Sequence, residues 1–226
     1  MMPTLLKRFV KNWVSFAAIK WAKGYIKKDR SYSYKGLKIA IHKDVFHPGL
    51  FHSTKVMINW LTTQHLDNKN VLELGCGSGL ISMIAAQHGS KVTAVDINPK
   101  AVTNAKINAN KNKLVISCYQ SNLFSAIPQY EYFDYVLINP PYFPGDASTD
   151  YDHAWYCGKD FNYFHELFDQ LQERSTEERY YMILSDNCDL NTINSIAKEK
   201  KQVLKEVYRK KTWGETFFIY QVLRDQ

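Results

Sequence analysis

An α/β fold built on a doubly wound, mostly parallel sheet is what this 226-residue sequence predicts. Three observations carry that expectation. From about residue 70 short apolar runs alternate with helix-patterned stretches. A glycine-rich turn, Gly75-Cys76-Gly77-Ser78-Gly79, joins the first of those runs to the first of those helices. Near the C-terminus two β-rich runs follow one another with no helix between them. Alternation gives parallel strands joined by crossover helices, and two successive strands close the sheet with an antiparallel hairpin.

The elements follow in order. Residues 1–50 read as an extension and 51–226 as the main domain. In "PTLLKRFVKNWVSFAAIKWAKGYIKK" the apolar positions Leu5, Leu6, Phe9, Val10, Trp13, Phe16 and Ala17 recur at helical spacing, with basic residues between them. The stretches "SYSYKGLKIAIH" and "KDVFHPGLF" are rich in β-formers and are punctuated by turns at Gly36 and at His47-Pro48-Gly49, which predicts short strands or a hairpin. A helix capped by Ser53 or Thr54 follows, with Val56, Met57, Trp60 and Leu61 as its apolar stripe. Seven strands are then expected at "NVLELG", "KVTAVDI", "KLVISCY", "FDYVLIN", "RYYMILSDN", "QVLKEVYRK" and "WGETFFIYQVLR". Helices fall at "GLISMIAAQHG", "NPKAVTNAKINANKN", "FNYFHELFDQLQER" and "LNTINSIAKEK". The second of these has Asn98 as its cap and Pro99 in its first position, where the missing N–H costs nothing.

Composition narrows the function classes. The hydrophobic share of 45% and charged share of 23% are those of an ordinary globular chain, and no apolar run is long enough to span a bilayer. The cysteines Cys76, Cys118, Cys157 and Cys188 form no CxxC pattern, so a reducing, cytoplasmic compartment is expected. His153 and Cys157 lie four apart without further ligands nearby, so no metal site is expected. The net charge of +7 is local: the first thirty residues hold eight of the 29 Lys/Arg and one of the 22 Asp/Glu, leaving 21 of each beyond them. Two readings of that basic helix stand, contact with nucleic-acid phosphates or an anionic membrane surface, and packing of its Trp/Phe stripe on the main domain. A targeting peptide is a third, against which stands its poverty in Arg and Ser.

The chemistry-bearing residues cluster at strand ends. Glycines at 75, 77 and 79 let the backbone approach a ligand closely, at the carboxyl end of a strand where ligands of open α/β sheets bind. The run G-C-G-S-G-L sets the third glycine one position early for a dinucleotide fingerprint. Asp96 ends the next strand, 17 positions after Gly79, where a carboxylate can accept both hydroxyls of a ribose.

"ELGCGSG" together with "VDIN" resembles the class I S-adenosylmethionine-dependent methyltransferases. The resemblance implies S-adenosylmethionine as cofactor, with Glu73, Gly75, Cys76, Gly77 and Gly79 facing it, Asp96 and Ile97 at its ribose and adenine, and Asn122 and Leu123 near the adenine amino group. The family often carries an aspartate in the "SNLF" position held here by Asn122, whose oxygen still accepts a hydrogen bond but bears no charge.

The run "YVLINPPYFPG" is similar to the acceptor loop of methyltransferases that modify a planar nitrogen. Such a nitrogen is a poor nucleophile because its lone pair is delocalised. The side-chain oxygen of Asn139 and the backbone carbonyl of Pro140 can accept its two hydrogens, aiming it at the methyl and favouring a localised lone pair. Pro140 and Pro141 hold the loop rigid, and Tyr142 can stack on the substrate plane. A protein glutamine, as in the HemK-like group that modifies release factors, is the favoured target. "HAWYCGKDFNYFHELF" resembles that group through Trp155, Gly158 and Asp160. Adenine N6 or guanine N2 in RNA or DNA is the alternative, and a non-catalytic binding protein of the same fold the second. The partners expected are therefore a protein with an exposed glutamine, or RNA or DNA, with an anionic surface at residues 1–30.

Overall fold

The computed structural model describes residues 28–149, 151–212 and 214–225. The basic amphipathic helix expected over the first residues lies outside them. Among the described residues a hairpin of β1 (Arg30–Tyr34) and β2 (Leu37–Ile41) precedes α1 (His52–Leu61). The main sheet then alternates as β3 (Asn70–Leu74), α2 (Leu80–Gln87), β4 (Lys91–Asp96), α3 (Pro99–Lys111), β5 (Ile116–Gln120) and β6 (Tyr135–Ile138). It continues with α4 (Asn162–Gln172), β7 (Tyr180–Ser185), α5 (Leu190–Glu199), β8 (Gln202–Lys211) and β9 (Thr216–Arg224). The strand order is β5-β4-β3-β6-β7-β9-β8, parallel from β5 to β7, with β9 antiparallel to both of its neighbours. The expected seven-stranded, doubly wound sheet with a C-terminal hairpin is the fold observed.

Apolar runs rather than alternating patterns form the central strands because both faces are covered. Leu72 and Leu74 of β3, Val136 and Ile138 of β6, and Met182 and Leu184 of β7 pack against Phe164, Leu167 and Phe168 of α4 and Ile193 of α5. The alternate residues Val71, Leu137, Tyr181 and Ile183 face Met57 and Trp60 of α1 and Ile81 and Ile84 of α2. By the same alternation Glu73 is on the α2 side of β3, in a position that leucine or valine would fill in a simple core.

One expectation needs correction. "KDVFHPGLF" forms no strand. The chain turns after Ile41 through Asp44 at φ 69°, with Val45 N donating to His42 O and Leu50 N to His47 O, so its backbone groups close local turns. Residues 42–51 are a strap between the hairpin and α1.

The hairpin is fastened to α3 by three asparagines. Asn104, Asn108 and Asn112 are four apart, on one face of the helix. Asn112 accepts from Lys38 N and donates to Lys38 O, both at 2.9 Å. Asn108 accepts from Ala40 N at 2.8 Å and donates to Ala40 O at 2.8 Å, while Asn104 donates to Ala40 O and accepts from His42 N. The periods match: four helical residues advance about 6 Å and two strand residues about 6.7 Å. Side-chain amides thus stand in for a neighbouring strand along the outer edge of β2. Asn108, fully buried, also donates to Ser78 O in the glycine turn at 3.0 Å. The Asn108→Ala variant leaves Ala40 N and Ser78 O without that partner, and urea denaturation should show a loss of about 2–3 kcal/mol, whereas an exposed control such as Asn110→Ala should be near neutral.

Candidate active site

β3 and β6 are neighbours, with Leu74 opposite Ile138, although the chain visits β4 and β5 between them. The connection switches sides there, which opens a crevice beyond the carboxyl ends of both strands. The glycine turn leaves β3 and the Asn139-Pro140-Pro141-Tyr142 run leaves β6, so the two motifs face one cavity of about 410 Å³. That is the size range of small-molecule sites.

The glycine turn is shaped by hydrogen bonds from β4. Gly75 N and Cys76 N both donate to Val95 O at 2.9 Å, and Gly77 N donates to Asp96 Oδ2 at 2.8 Å. Asp96 Oδ1 accepts from Asn98 N at 2.9 Å. Burial raises the Asp96 pKa, and the N–H groups of Asn98 and Gly77, with His153 nearby, offset part of that rise. A Cβ at Gly75 would meet no atom within 4 Å, and one at Gly77 only Phe46 Cβ at 3.7 Å. The cavity side of the turn is therefore room that side chains would fill, which fits a ligand lying against bare backbone. Gly79 differs. It is not in the cavity wall, and a Cβ there would meet Ala105 Cβ at 3.0 Å, so its role is close packing of the turn on α3.

Glu73 has two faces. It lines the cavity, and its Oε2 accepts from Ser82 N at 2.8 Å and from the Ser82 hydroxyl. Gly79, the residue before α2, has no side chain to cap the helix, so a carboxylate from β3 satisfies that early N–H instead. Burial pushes the Glu73 pKa up to about 8, the two bonds from Ser82 pulling against it and Asp96 adding to it.

Cys76, Ile97, Asn122, Leu123, Asn139, Pro140 and Tyr142 also line the cavity. No described residue hydrogen-bonds the Asn139 side chain or the Pro140 carbonyl. The loop that bears them is fixed from outside: Phe143 N donates to Trp155 O at 3.1 Å, Cys157 N to Phe143 O at 3.0 Å, and Gly158 N to Gly145 O at 2.9 Å. Tyr142 is a wall more than a free stacking platform. Its ring packs on the core and its phenol, pushed far up in pKa by burial, has the Ser185 hydroxyl beside it.

The strap supplies the part of the wall that sequence reasoning missed. Val45, Phe46, Pro48 and Phe51 enter the cavity, with Phe46 5.4 Å and Phe51 4.7 Å from the Trp155 ring. Asn98 Nδ2 donates to Asp44 O at 3.0 Å and Lys100 pairs with the Asp44 carboxylate, so the strap is tied to the start of α3. Glu166 and Tyr163 of α4 complete the far end. Of the residues singled out with Trp155, Gly158 is in the wall and Asp160 is not.

The raised Glu73 pKa has a measurable consequence. Between pH 4.5 and about 8 the native chain keeps a proton that the unfolded chain has released. Stability without ligand should then fall as pH rises through that window, by at most about 1.4 kcal/mol per unit for one proton. Glu73→Gln should flatten the fall without removing it, since Asp96 titrates in the same direction; equal slopes in urea denaturation across pH 5–8 would refute the assignment.

Several known proteins resemble this chain over part of its length. A Methanocaldococcus jannaschii protein provisionally named a protein N5-glutamine methyltransferase is 41% identical over 119 residues, 52% of this chain and 57% of that protein. A tRNA1(Val) (adenine(37)-N6)-methyltransferase of a Shewanella species is 33% identical over 120 residues, 50% of each chain. The chain thus spans about half the length of these curated relatives. The 16S rRNA N2 G1207 methyltransferase of T. thermophilus, solved with AdoMet and guanosine, superposes with a TM-score of 0.65 at 16% identity, over 88% of this chain and 50% of that one. No helix among the described residues is long and apolar enough to cross a membrane. The sequence pattern of the methyltransferase small domain matches residues 36–156, more than half of the chain, and the protein accordingly belongs to that family of S-adenosylmethionine-dependent methyltransferases.

Proposed function

We propose that the chain methylates a planar nitrogen, and that the nitrogen is the side-chain amide of a protein glutamine. One observation carries the first half: two rigid acceptors, Asn139 Oδ1 and Pro140 O, border the cavity with no hydrogen-bond partner among the described residues. An –NH2 group offers two hydrogens, and two acceptors on consecutive residues match that demand. The second half is supported by the 41% identity to the M. jannaschii relative, above the 33% to the tRNA adenine enzyme. The adenine reading keeps one observation of its own, the +7 formal charge of the first thirty residues, which suits a phosphate backbone.

S-adenosylmethionine supplies the methyl group on a positively charged sulfur. The chain's residues bind and aim. The bare turn at Gly75 and Gly77 admits the ligand close to the backbone. Asp96 uses one lone pair of each oxygen on Gly77 and Asn98, and the remaining pairs are available to two ribose hydroxyls. Asn139 and Pro140 draw electron density toward the nitrogen by accepting its hydrogens, and their fixed dipoles stabilise the charge that grows there. Pro140 and Pro141 set that geometry before substrate arrives, so little entropy is lost on binding. The wall of Phe46, Phe51 and Trp155 excludes water. The methylated nitrogen needs no base beforehand, because it becomes acidic once it carries the new bond.

The test of substrate class is transfer of labelled methyl from S-adenosylmethionine into a cell extract, followed by parallel protease and nuclease digestion. Label lost from the macromolecular fraction only with protease supports the glutamine, and acid hydrolysis to N-methyl-glutamine's products identifies it. Label lost only with nuclease overturns it in favour of a base. Asn139→Ala should lower turnover on the order of 100-fold with the cofactor Kd changed less than about 3-fold; an equal collapse of both would remove the acceptor role. Asp96→Ala should weaken cofactor binding by about 1–3 kcal/mol, measured by calorimetry, and an unchanged Kd would take Asp96 out of the ribose contact.

A further inference from the structure

We propose that Glu166 is the group that recognises the adenine amino edge of the cofactor. The position where related enzymes often hold an aspartate for this purpose is Asn122 here, and Asn122 does not stand alone. Its Nδ2 donates to Glu166 Oε1 at 2.5 Å, from a helix 44 residues further along the chain. Gln170, one turn on, donates to the same Glu166 oxygen at 3.1 Å and accepts from Phe124 N at 2.9 Å. Glu166 is therefore held from two sides, by the 121–125 turn and by its own helix.

Three further facts direct it at a ligand. Asn122 and Glu166 both line the cavity, beside Ile97 and Leu123, whose apolar side chains offer a slot for a flat ring. No described residue contacts Glu166 Oε2 through a hydrogen bond or ion pair. Asn122 spends one amide hydrogen on Glu166, so the pair still offers two acceptors, Glu166 Oε2 and Asn122 Oδ1, beside one remaining N–H. An exocyclic amino group is the part of adenine that such a pair can bind, and a carboxylate binds it more strongly than an amide does. The charge that the "SNLF" turn lacks is thus restored from α4. This inference rests on S-adenosylmethionine as the cofactor of the family.

Calorimetric titration of the full chain with S-adenosylhomocysteine and with S-inosylhomocysteine tests it directly. The second ligand carries a carbonyl oxygen where adenine carries the amino group, so a carboxylate repels it. The wild-type chain should prefer the adenine form by about 10- to 100-fold. Glu166→Gln, close in shape and able to donate, should lower that preference by about 10-fold or more, with binding of the inosine form unchanged or improved. Asn122→Ala should lower it less, because Gln170 still holds Glu166. A wild-type preference that survives Glu166→Gln, or is lost only in Asn122→Ala, overturns the proposal, as does a wild-type chain that binds both ligands equally. Weak binding of both ligands by Glu166→Gln at an unchanged ratio would mark a structural role and overturn it too.

Discussion

The Asp96 carboxylate ties the walls of the cavity together. One oxygen fixes Gly77 in the glycine turn and the other fixes Asn98 at the head of α3. Val95, one residue earlier, gives its carbonyl to Gly75 and Cys76. The end of β4 therefore sets the path of the turn that leaves β3, and the turn in turn sets where a ligand can lie. Asn98, placed by Asp96, passes the constraint on by caging Asp44 O of the strap. A carboxylate is suited to this because each oxygen can accept twice, once from the fold and once from a ligand.

The remaining polar groups divide into those the fold consumes and those it leaves open. Glu73, buried at 3% exposure, is turned toward Ser82 and caps α2, so its carboxylate is partly a structural group even though it borders the cavity. Asn139 and Pro140 are the opposite case, held in place through the backbone of Phe143 and Cys157 while their own acceptors stay unused. Rigidity comes from neighbours, and the acceptors that those neighbours leave unpaired stay open to the cavity.

Much of this was legible in the sequence, and the parts that were not share a reason. Strands whose two faces are both buried write themselves as apolar runs, and their carboxyl ends are marked by Gly75, Asp96 and Asn139. The first and last of these meet because β3 and β6 pair, a neighbour relation that the alternation of elements does not by itself dictate. The strap was misread because Val45, Phe46 and Phe51 are β-formers by composition, yet their backbone turns locally and their rings serve a cavity wall. Gly79 packs on α3, and a glycine that faces a ligand and one that admits a helix look alike in a sequence. Glu166 sits on the polar side of α4, opposite Phe164, Leu167 and Phe168, where a solvated residue is the ordinary expectation. The asparagines of α3 did leave a trace. Three poor helix formers four apart within one helix are costly unless something outside the helix bonds them.

That asparagine row bears on how the molecule behaves in company. A bare strand edge is a template on which another chain can add its own strand. On β2 the outward N–H and C=O groups of Lys38 and Ala40 are already taken by amides from α3. The edge is closed by a helix that cannot itself be extended, so growth by strand addition has no purchase along β2. An amide suits this because it donates and accepts at once; conversion of Asn108 to a carboxylate would set an acceptor against the carbonyls of Ala40 and Ser78. Chemical ageing of that one side chain would thus weaken the shield at its middle, while Asn104 and Asn112 keep its two ends.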